Sequence, residues 1–92
     1  MANKQTVTIE LPKPIEVEGS ESIIEVEMVE PYAGEMRGLK FVDIMQGDMD
    51  AMTALIPRIC PKLTERHMLN MSPINLTPLI GGVLNFFVES DS

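Results

Sequence analysis

The residues that could perform acid–base or nucleophilic chemistry are few in this 92-residue chain, which has one histidine and one cysteine. His67 has polar neighbours, which favours a place on the surface of a short helix over a role as a general base. Cys60 cannot form an internal disulfide, and its neighbours Ile59 and Pro61 favour a small buried side chain over a reactive thiol. A Cys60–His67 couple is geometrically conceivable, but no third group that would orient the histidine is apparent. We therefore expect no catalytic activity.

Asp43, Asp48 and Asp50 lie close together in the sequence and raise the question of a calcium site. The EF-hand pattern of alternating acids, a glycine and a distal glutamate is absent here. Helix capping explains the acids better, because Asp48 can accept amide hydrogen bonds and Asp50 would face the positive end of the helix dipole. The chain also has neither a Cys/His set for zinc nor a glycine-rich phosphate loop. We expect neither a metal nor a cofactor.

Methionine is the compositional oddity, with eight in the chain. Methionine fills irregular gaps in cores, and it is also common on surfaces that accommodate varied apolar helices. Most of the methionines are expected in the core. Met45, Met49 and Met52 with Leu55 would form an apolar groove for a partner helix, and Phe86, off the main apolar stripe of the last predicted helix, would extend it. These five are the predicted partner-binding residues.

Charge and hydropathy exclude several classes of ligand. The net charge of −7 opposes the counterion-release attraction that drives nucleic-acid binding, so no nucleic acid is expected. Seven of the fourteen acids fall within residues 1–30, alongside only Lys4 and Lys13, so one surface is expected to be strongly negative. The longest apolar stretch, between Leu76 and Val88, is shorter than the roughly 20 residues of a membrane span. No signal-peptide pattern follows the first methionine, which favours the cytoplasm.

Alternation of apolar and polar residues predicts a strand over 6–11 and a second over 23–29, with the glutamates facing water. A turn is predicted at 18–21. Pro12 and Pro14 lack amide donors and predict an edge or a bend in the first strand before the extended pattern resumes. Because two strands alone are marginal in water, a helix must cover their apolar face.

Imperfect helical spacing predicts a short helix between Gly34 and Gly47. A second helix is predicted to begin after Asp48, which caps its first turn. Pro57 falls within the apolar stripe of this helix and removes a backbone donor. The helix is therefore expected either to kink at Pro57 or to end near Ile56.

The starts of two further helices are predicted later in the chain. Thr64 caps a single turn through Leu69, and Ser72 followed by Pro73 starts a helix that runs to about Glu89. Its predicted core face follows helical spacing: Leu76, Leu79, Ile80, Val83, Leu84 and Phe87.

Together these elements predict an α+β fold, in which an N-terminal antiparallel β-hairpin or small sheet packs against three or four short helices. We expect one domain over residues 1–92, with residues 1–5 and 89–92 flexible. A domain of this size buries a modest share of its surface, which favours association. A homo-oligomer, with a second copy pairing at an exposed strand edge, stays open.

The order of features is more informative than any single residue. It comprises Val-Thr-Ile-Glu-Leu at 7–11, Pro-Ile at 14–15, Ile-Glu-Val-Glu-Met at 24–28, Glu-Pro at 30–31, Leu-Ile-Pro-Arg at 55–58, Leu-Thr at 63–64 and Leu-Asn-Phe-Phe at 84–87. Over nearly the whole chain this order resembles the tail assembly chaperones of contractile-tailed bacteriophages, the Mu-like tail protein E group. The resemblance implies a non-enzymatic protein that transiently binds the phage tape measure protein in the host bacterial cytoplasm and is absent from the mature virion. It also implies a frameshift-extended form of the same chain as a partner.

Two other functions remain open at this point. One is an acidic decoy or regulatory protein that binds a basic partner through Glu10, Glu16, Glu18, Glu25 and Glu27. The other is a permanent structural component of the tail. Added salt distinguishes the acidic decoy from the chaperone. Screening limits the range of interactions between exposed charges to about 8 Å at physiological ionic strength and leaves apolar contacts intact.

Overall fold

The structure is a computed structural model that describes residues 4–88, and within that range it contains a two-stranded antiparallel sheet and four helices. The elements are β1 (Thr6–Ile15), β2 (Ile23–Val29), α1 (Phe41–Met45), α2 (Met49–Ile59), α3 (Glu65–Leu69) and α4 (Pro73–Asn85). The predicted α+β fold is confirmed. No helix in this range is long and apolar enough to cross a bilayer.

The hairpin has a regular half and an irregular half. From Thr6 opposite Val29 to Glu10 opposite Glu25 the register is uniform, and it then shifts so that Ile15 pairs with Ile23. Residues 11–14 of β1 therefore lie opposite a single residue of β2. The ladder is irregular at Pro12 and Pro14, where an edge or a bend is predicted, because the missing amides prevent continuous pairing there.

The turn between the strands uses one glycine in the left-handed region. Gly19 has a φ of 77°, and the Ser20 amide donates to the Val17 carbonyl at 3.1 Å. A side chain at such a φ is strained, so the position favours glycine. The turn predicted at 18–21 is confirmed.

In the middle of the hairpin, the two faces differ as the alternation of apolar and polar residues predicts. Val26 and Met28 are fully buried, and Glu25 and Glu27 are exposed. Alternation places Ile24 on the same face as Val26 and Met28, but Ile24 is 60% exposed. It lies opposite the irregular segment of β1, where the uniform register that would keep it over the core is broken.

The helix predicted between Gly34 and Gly47 is shorter than expected. Residues 33–38 form successive turns, and only α1 is helical. Gly38 has a φ of 82°, which takes the backbone out of the right-handed helical region and separates these turns from α1. The expected spacing was therefore correct only for the second half of the segment.

Side chains from elsewhere in the chain hold the turns at 33–38. The Arg58 Nη1 donates to the carbonyls of Glu35 and Arg37 at 2.7 and 2.9 Å. The Lys4 ammonium lies 2.6 Å from the Glu35 carboxylate and 4.7 Å from the centre of the Tyr32 ring. The hydrogen bond from Lys4, with a second from the Tyr32 amide, lowers the pKa of Glu35.

The expected flexible ends fall largely outside the described residues, since 1–3 and 89–92 lie beyond them. Residues 4 and 5 are described and make contacts. Besides the Lys4 ion pair, the Gln5 amide donates to the Glu30 carboxylate at 3.1 Å, and the Glu30 amide donates to the Gln5 carbonyl at 2.8 Å.

Helix α2 begins as predicted, with the Asp48 carboxylate accepting a 3.0 Å hydrogen bond from the Ala51 amide. Two outcomes are predicted at Pro57, a kink or an end of the helix near Ile56, and the second does not occur. Pro57 lies inside α2, which continues to Ile59.

The caps of α3 and α4 are also confirmed. The Thr64 hydroxyl accepts from the His67 amide, and the Ser72 hydroxyl accepts from the Ile74 amide at 3.4 Å. Helix α4 ends at Asn85 rather than near Glu89. The amides of residues 86–88 each donate to a carbonyl three residues earlier, so the last turn is tighter than an α-helix.

The core lies between the sheet and the helices. Helix α4 packs on β1, and α2 packs on β2 and on each of the other helices. The fully buried side chains with the largest volumes are Met28, Ile44, Met52, Leu55, Ile56 and Leu79. Gly82 brings α4 close to the sheet, because a Cβ there would lie 2.8 Å from Ile9 Cδ1 and 3.2 Å from Met28 Sδ.

Candidate partner-binding surface

Helix α1 turns three apolar side chains toward solvent. Phe41, Val42 and Met45 are 59%, 56% and 42% exposed, whereas Ile44 is fully buried. At about 100° per residue, the three exposed residues fall on one side of the helix and Ile44 falls outside that arc. A helix of five residues with one side in the core leaves its other apolar side chains without cover.

Phe87, in the turn that follows α4, borders this surface and is partly buried against the core. The Phe87 ring lies edge-on to the Phe41 ring, with 5.5 Å between centroids and an interplanar angle of 78°, a favourable aromatic geometry. The corner after α1 also sits close to α4, since a Cβ on Gly47 would lie 3.3 Å from Ile80 Cγ2. We refer to Phe41, Val42, Met45 and Phe87 as the α1 patch.

The five predicted partner-binding residues separate into surface and interior. Met45 and Met49 are 42% and 44% exposed, and Phe86 is partly buried against the core. Met52 and Leu55 are fully buried. The structure does not bring all five onto one groove, because the spacing that aligns Met52 with Leu55 places both on the face of α2 that packs inward.

Helical spacing in the sequence does not single out Phe41 or Val42 as exposed, although they are 59% and 56% exposed. Both residues lie within the longer helix predicted between Gly34 and Gly47. Phe87, which is predicted on the core face of α4, is partly buried and packs against the core. A usable signal was present in α1: at about 100° per residue, Phe41, Val42, Ile44 and Met45 together span about 160° around the helix, more than the roughly 100° stripe that a core-facing helix buries.

The three neighbouring aspartates line one shallow depression of about 340 Å³ beside Lys40. Among the residues that the structure describes, no group of three or more His, Cys, Asp or Glu side chains is arranged to hold a metal ion. Asp48 caps α2, and Asp50 lies in its first turn. The geometry therefore gives Asp48 and Asp50 a role in starting α2, whereas Asp43 belongs to α1.

A larger groove of about 430 Å³ lies between the end of β1 and the connection from α3 to α4. Asn75, 2% exposed, lines it and binds the backbone of Lys13 twice. The Asn75 side chain accepts from the Lys13 amide at 2.9 Å and donates to the Lys13 carbonyl at 2.7 Å. The sequence pattern does not single out Asn75. A signal was present, since within residues 12–14 only Lys13 has a backbone amide, and that amide needs a partner.

The two residues considered for catalysis have structural roles. Cys60 is fully buried, and burial raises the pKa of its thiol to about 12, so the thiol stays neutral at physiological pH. The buried role predicted for Cys60 is confirmed. The His67 Nδ1 accepts a hydrogen bond from the Thr64 amide at 3.2 Å, which completes a capping box on α3.

Comparison with known proteins identifies the family of this chain. A sequence profile of the family described as phage tail assembly chaperone proteins, E, or 41 or 14, matches residues 8–88. The match begins within β1 and covers β2 and all four helices, and the chain belongs to this family of phage tail assembly chaperones.

Two relatives come from Escherichia phage P2. The chain is 32% identical over 87 residues to tail assembly protein E′, an alignment that covers 94% of this chain and 60% of protein E′. It is also 32% identical over 85 residues to tail assembly protein E, covering 91% of each. The chain thus spans less than two thirds of protein E′ and most of protein E. No solved structure shows significant similarity to it.

Proposed function

We propose that this protein transiently binds the phage tape measure protein during tail assembly and shields an apolar helical segment of it. The α1 patch carries this proposal. It presents large apolar side chains on a domain whose family assembles phage tails. Exposed patches of this kind are typical of protein–protein contact sites.

The chemistry of the α1 patch suits an amphipathic helix as its occupant. The patch combines an aromatic pair, a branched side chain and a methionine, and methionine adapts to partners of different shape. Covering the exposed parts of Phe41, Val42 and Met45 would contribute about 3 kcal/mol, since full burial of one such side chain contributes about 1.5–3 kcal/mol. Met49 lies at the start of α2, four residues after Met45, and we include it in the contact.

The proposal extends to a longer form and to the place of action. Phage P2 has both protein E and protein E′, and this chain aligns with most of the first and with 60% of the second. We propose that a frameshift near the end of the reading frame produces a comparable longer form of this chain. Both forms would act in the host bacterial cytoplasm and be absent from the mature virion.

The direct test is binding of the purified full chain to overlapping fragments of the tape measure protein from the same phage. Replacing Phe41 and Met45 together with serine should weaken binding by about tenfold or more, because most of the patch is lost. Leu69→Ser is the matched control, since Leu69 is 72% exposed and lies on α3. Far-ultraviolet circular dichroism verifies that the variants fold.

Salt and mass spectrometry separate the alternatives. Binding through the α1 patch should persist at high salt, whereas an acidic decoy that relies on exposed glutamates should lose its partner. A permanent tail component would be found in purified particles. The absence of any binding at micromolar concentration, or equal losses in the patch variant and the Leu69→Ser control, would contradict the proposal.

A further inference from the structure

The outer edge of β2 has backbone groups available for another strand. Glu30 donates to the carbonyl of Gln5, which makes these two residues a hydrogen-bonded pair. In an antiparallel ladder such pairs alternate with pairs whose amides and carbonyls point outward. With the observed register, the backbone groups of Glu25, Glu27 and Val29 point away from β1. Within residues 4–88 no other backbone group bonds to these three amides.

The solvent face next to this edge is negative. Glu10 lies directly opposite Glu25, and Glu27 is the next outward-facing residue on β2. All three are exposed, and the one ion pair in the described part of the chain is that of Lys4 with Glu35. Like charges directly opposite each other on a hairpin are destabilising, so a nearby cation would relieve a cost that the isolated hairpin bears.

We propose that the outer edge of β2 binds a basic, extended polypeptide segment as a third strand of the sheet. Its backbone would pair with Glu25, Glu27 and Val29, and its cationic side chains would lie beside Glu25 and Glu27 on the solvent face. Its alternate residues would be apolar and continue the face formed by Val26 and Met28. The site is separate from the α1 patch.

Charge distinguishes this occupant from a second copy of the chain. If β2 paired with β2 of another copy, Glu25 and Glu27 of both copies would share one face of the sheet with Glu10. Cross-strand pairs of like charge oppose such an arrangement, whereas pairs of opposite charge favour a basic strand.

The test uses the isotopically labelled full chain and the peptide acetyl-(Lys-Val)₃-Lys-amide. Binding should protect the amides of Glu25, Glu27 and Val29 from hydrogen exchange, as followed by nuclear magnetic resonance. A peptide of the same sequence, N-methylated along one edge, has the same charge but lacks half of the donors. It should bind about tenfold more weakly, because the strand-to-strand hydrogen bonds on that edge are lost.

Two charge variants complete the test. Glu25→Lys with Glu27→Lys should reduce affinity for the basic peptide by about tenfold or more, since two attractive contacts become repulsive. Glu18→Lys with Glu21→Lys changes the net charge equally but lies in and beside the hairpin turn, and it should largely retain binding. If the first variant fails to fold, the two peptides still decide the question with the unmodified chain. Equal binding of both peptides, or concentration-dependent protection of the three amides without peptide, would overturn the proposal; the latter would identify a second copy as the occupant.

Discussion

Two adjacent glycines in α4 should respond differently to the same substitution. A Cβ at Gly82 would lie 2.8 Å from Ile9 Cδ1 and 3.2 Å from Met28 Sδ, whereas a Cβ at Gly81 would meet nothing within 4 Å. Gly82 is buried against the sheet and Gly81 is exposed. Alanine at Gly82 must therefore shift the end of the Ile9 side chain and press on Met28 Sδ, whereas alanine at Gly81 displaces nothing.

The magnitude follows from two terms. Each Gly→Ala change within a helix contributes about 1 kcal/mol in favour of the folded state. Inserting a methyl group into a packed core costs about 1–3 kcal/mol. Gly81→Ala should thus raise the free energy of unfolding by up to about 1 kcal/mol. The free energy of unfolding of Gly82→Ala should be about 1–3 kcal/mol lower than that of Gly81→Ala, because both variants gain the same helix stabilisation and only Gly82→Ala meets the core.

Urea unfolding followed by circular dichroism measures both variants against the unmodified chain. A third variant identifies the contact: Ile9→Val removes Cδ1, the atom nearest to the added methyl. In the unmodified chain, Ile9→Val should lower the free energy of unfolding by about 1 kcal/mol. In the Gly82→Ala background the same change should lower it by less, or raise it. The reasoning is refuted if Gly82→Ala is as stable as Gly81→Ala, or if Ile9→Val has the same effect in both backgrounds.

Two further predictions concern Asn75 and Cys60. Asn75→Leu should lower the free energy of unfolding by about 2–3 kcal/mol, because the Lys13 amide and carbonyl lose their partner; urea unfolding measures the loss, and hydrogen exchange should show the Lys13 amide less protected. For Cys60, the unfolded thiol deprotonates above its ordinary pKa of 9.0 while the folded thiol stays protonated to about 12. Its contribution to stability is therefore complete below pH 9.0 and falls by about 1.4 kcal/mol per pH unit as the pH rises toward 12.

Each of these predictions has a control. Asn85→Leu changes an exposed asparagine at the end of the same helix and should shift stability little. An unchanged Lys13 exchange rate in Asn75→Leu would contradict the first prediction. Cys60→Ala removes the thiol, so the difference in stability between this variant and the unmodified chain should narrow as the pH rises above 9.0. A difference that is constant with pH would contradict the second.

Local signals in the sequence were sufficient for the starts of α2, α3 and α4. Asp48, Thr64 and Ser72 each accept a hydrogen bond from an amide within the first turn that follows, as predicted. A cap depends on residues adjacent in sequence, and alternation in β2 depends only on the two-residue period of a strand. The order of these elements, together with the short motifs along the chain, was also sufficient for the family.

Only the tertiary structure decided which apolar side chains are buried and which groups complete the fold. Helical spacing did not distinguish exposed Met45 from buried Met52, because burial depends on the neighbours that each helix face meets. Asn75 binds Lys13 across 62 residues of chain, and Gly82 meets Ile9 across the sheet-to-helix interface. Such contacts follow from packing in three dimensions, which periodicity along a single segment does not specify.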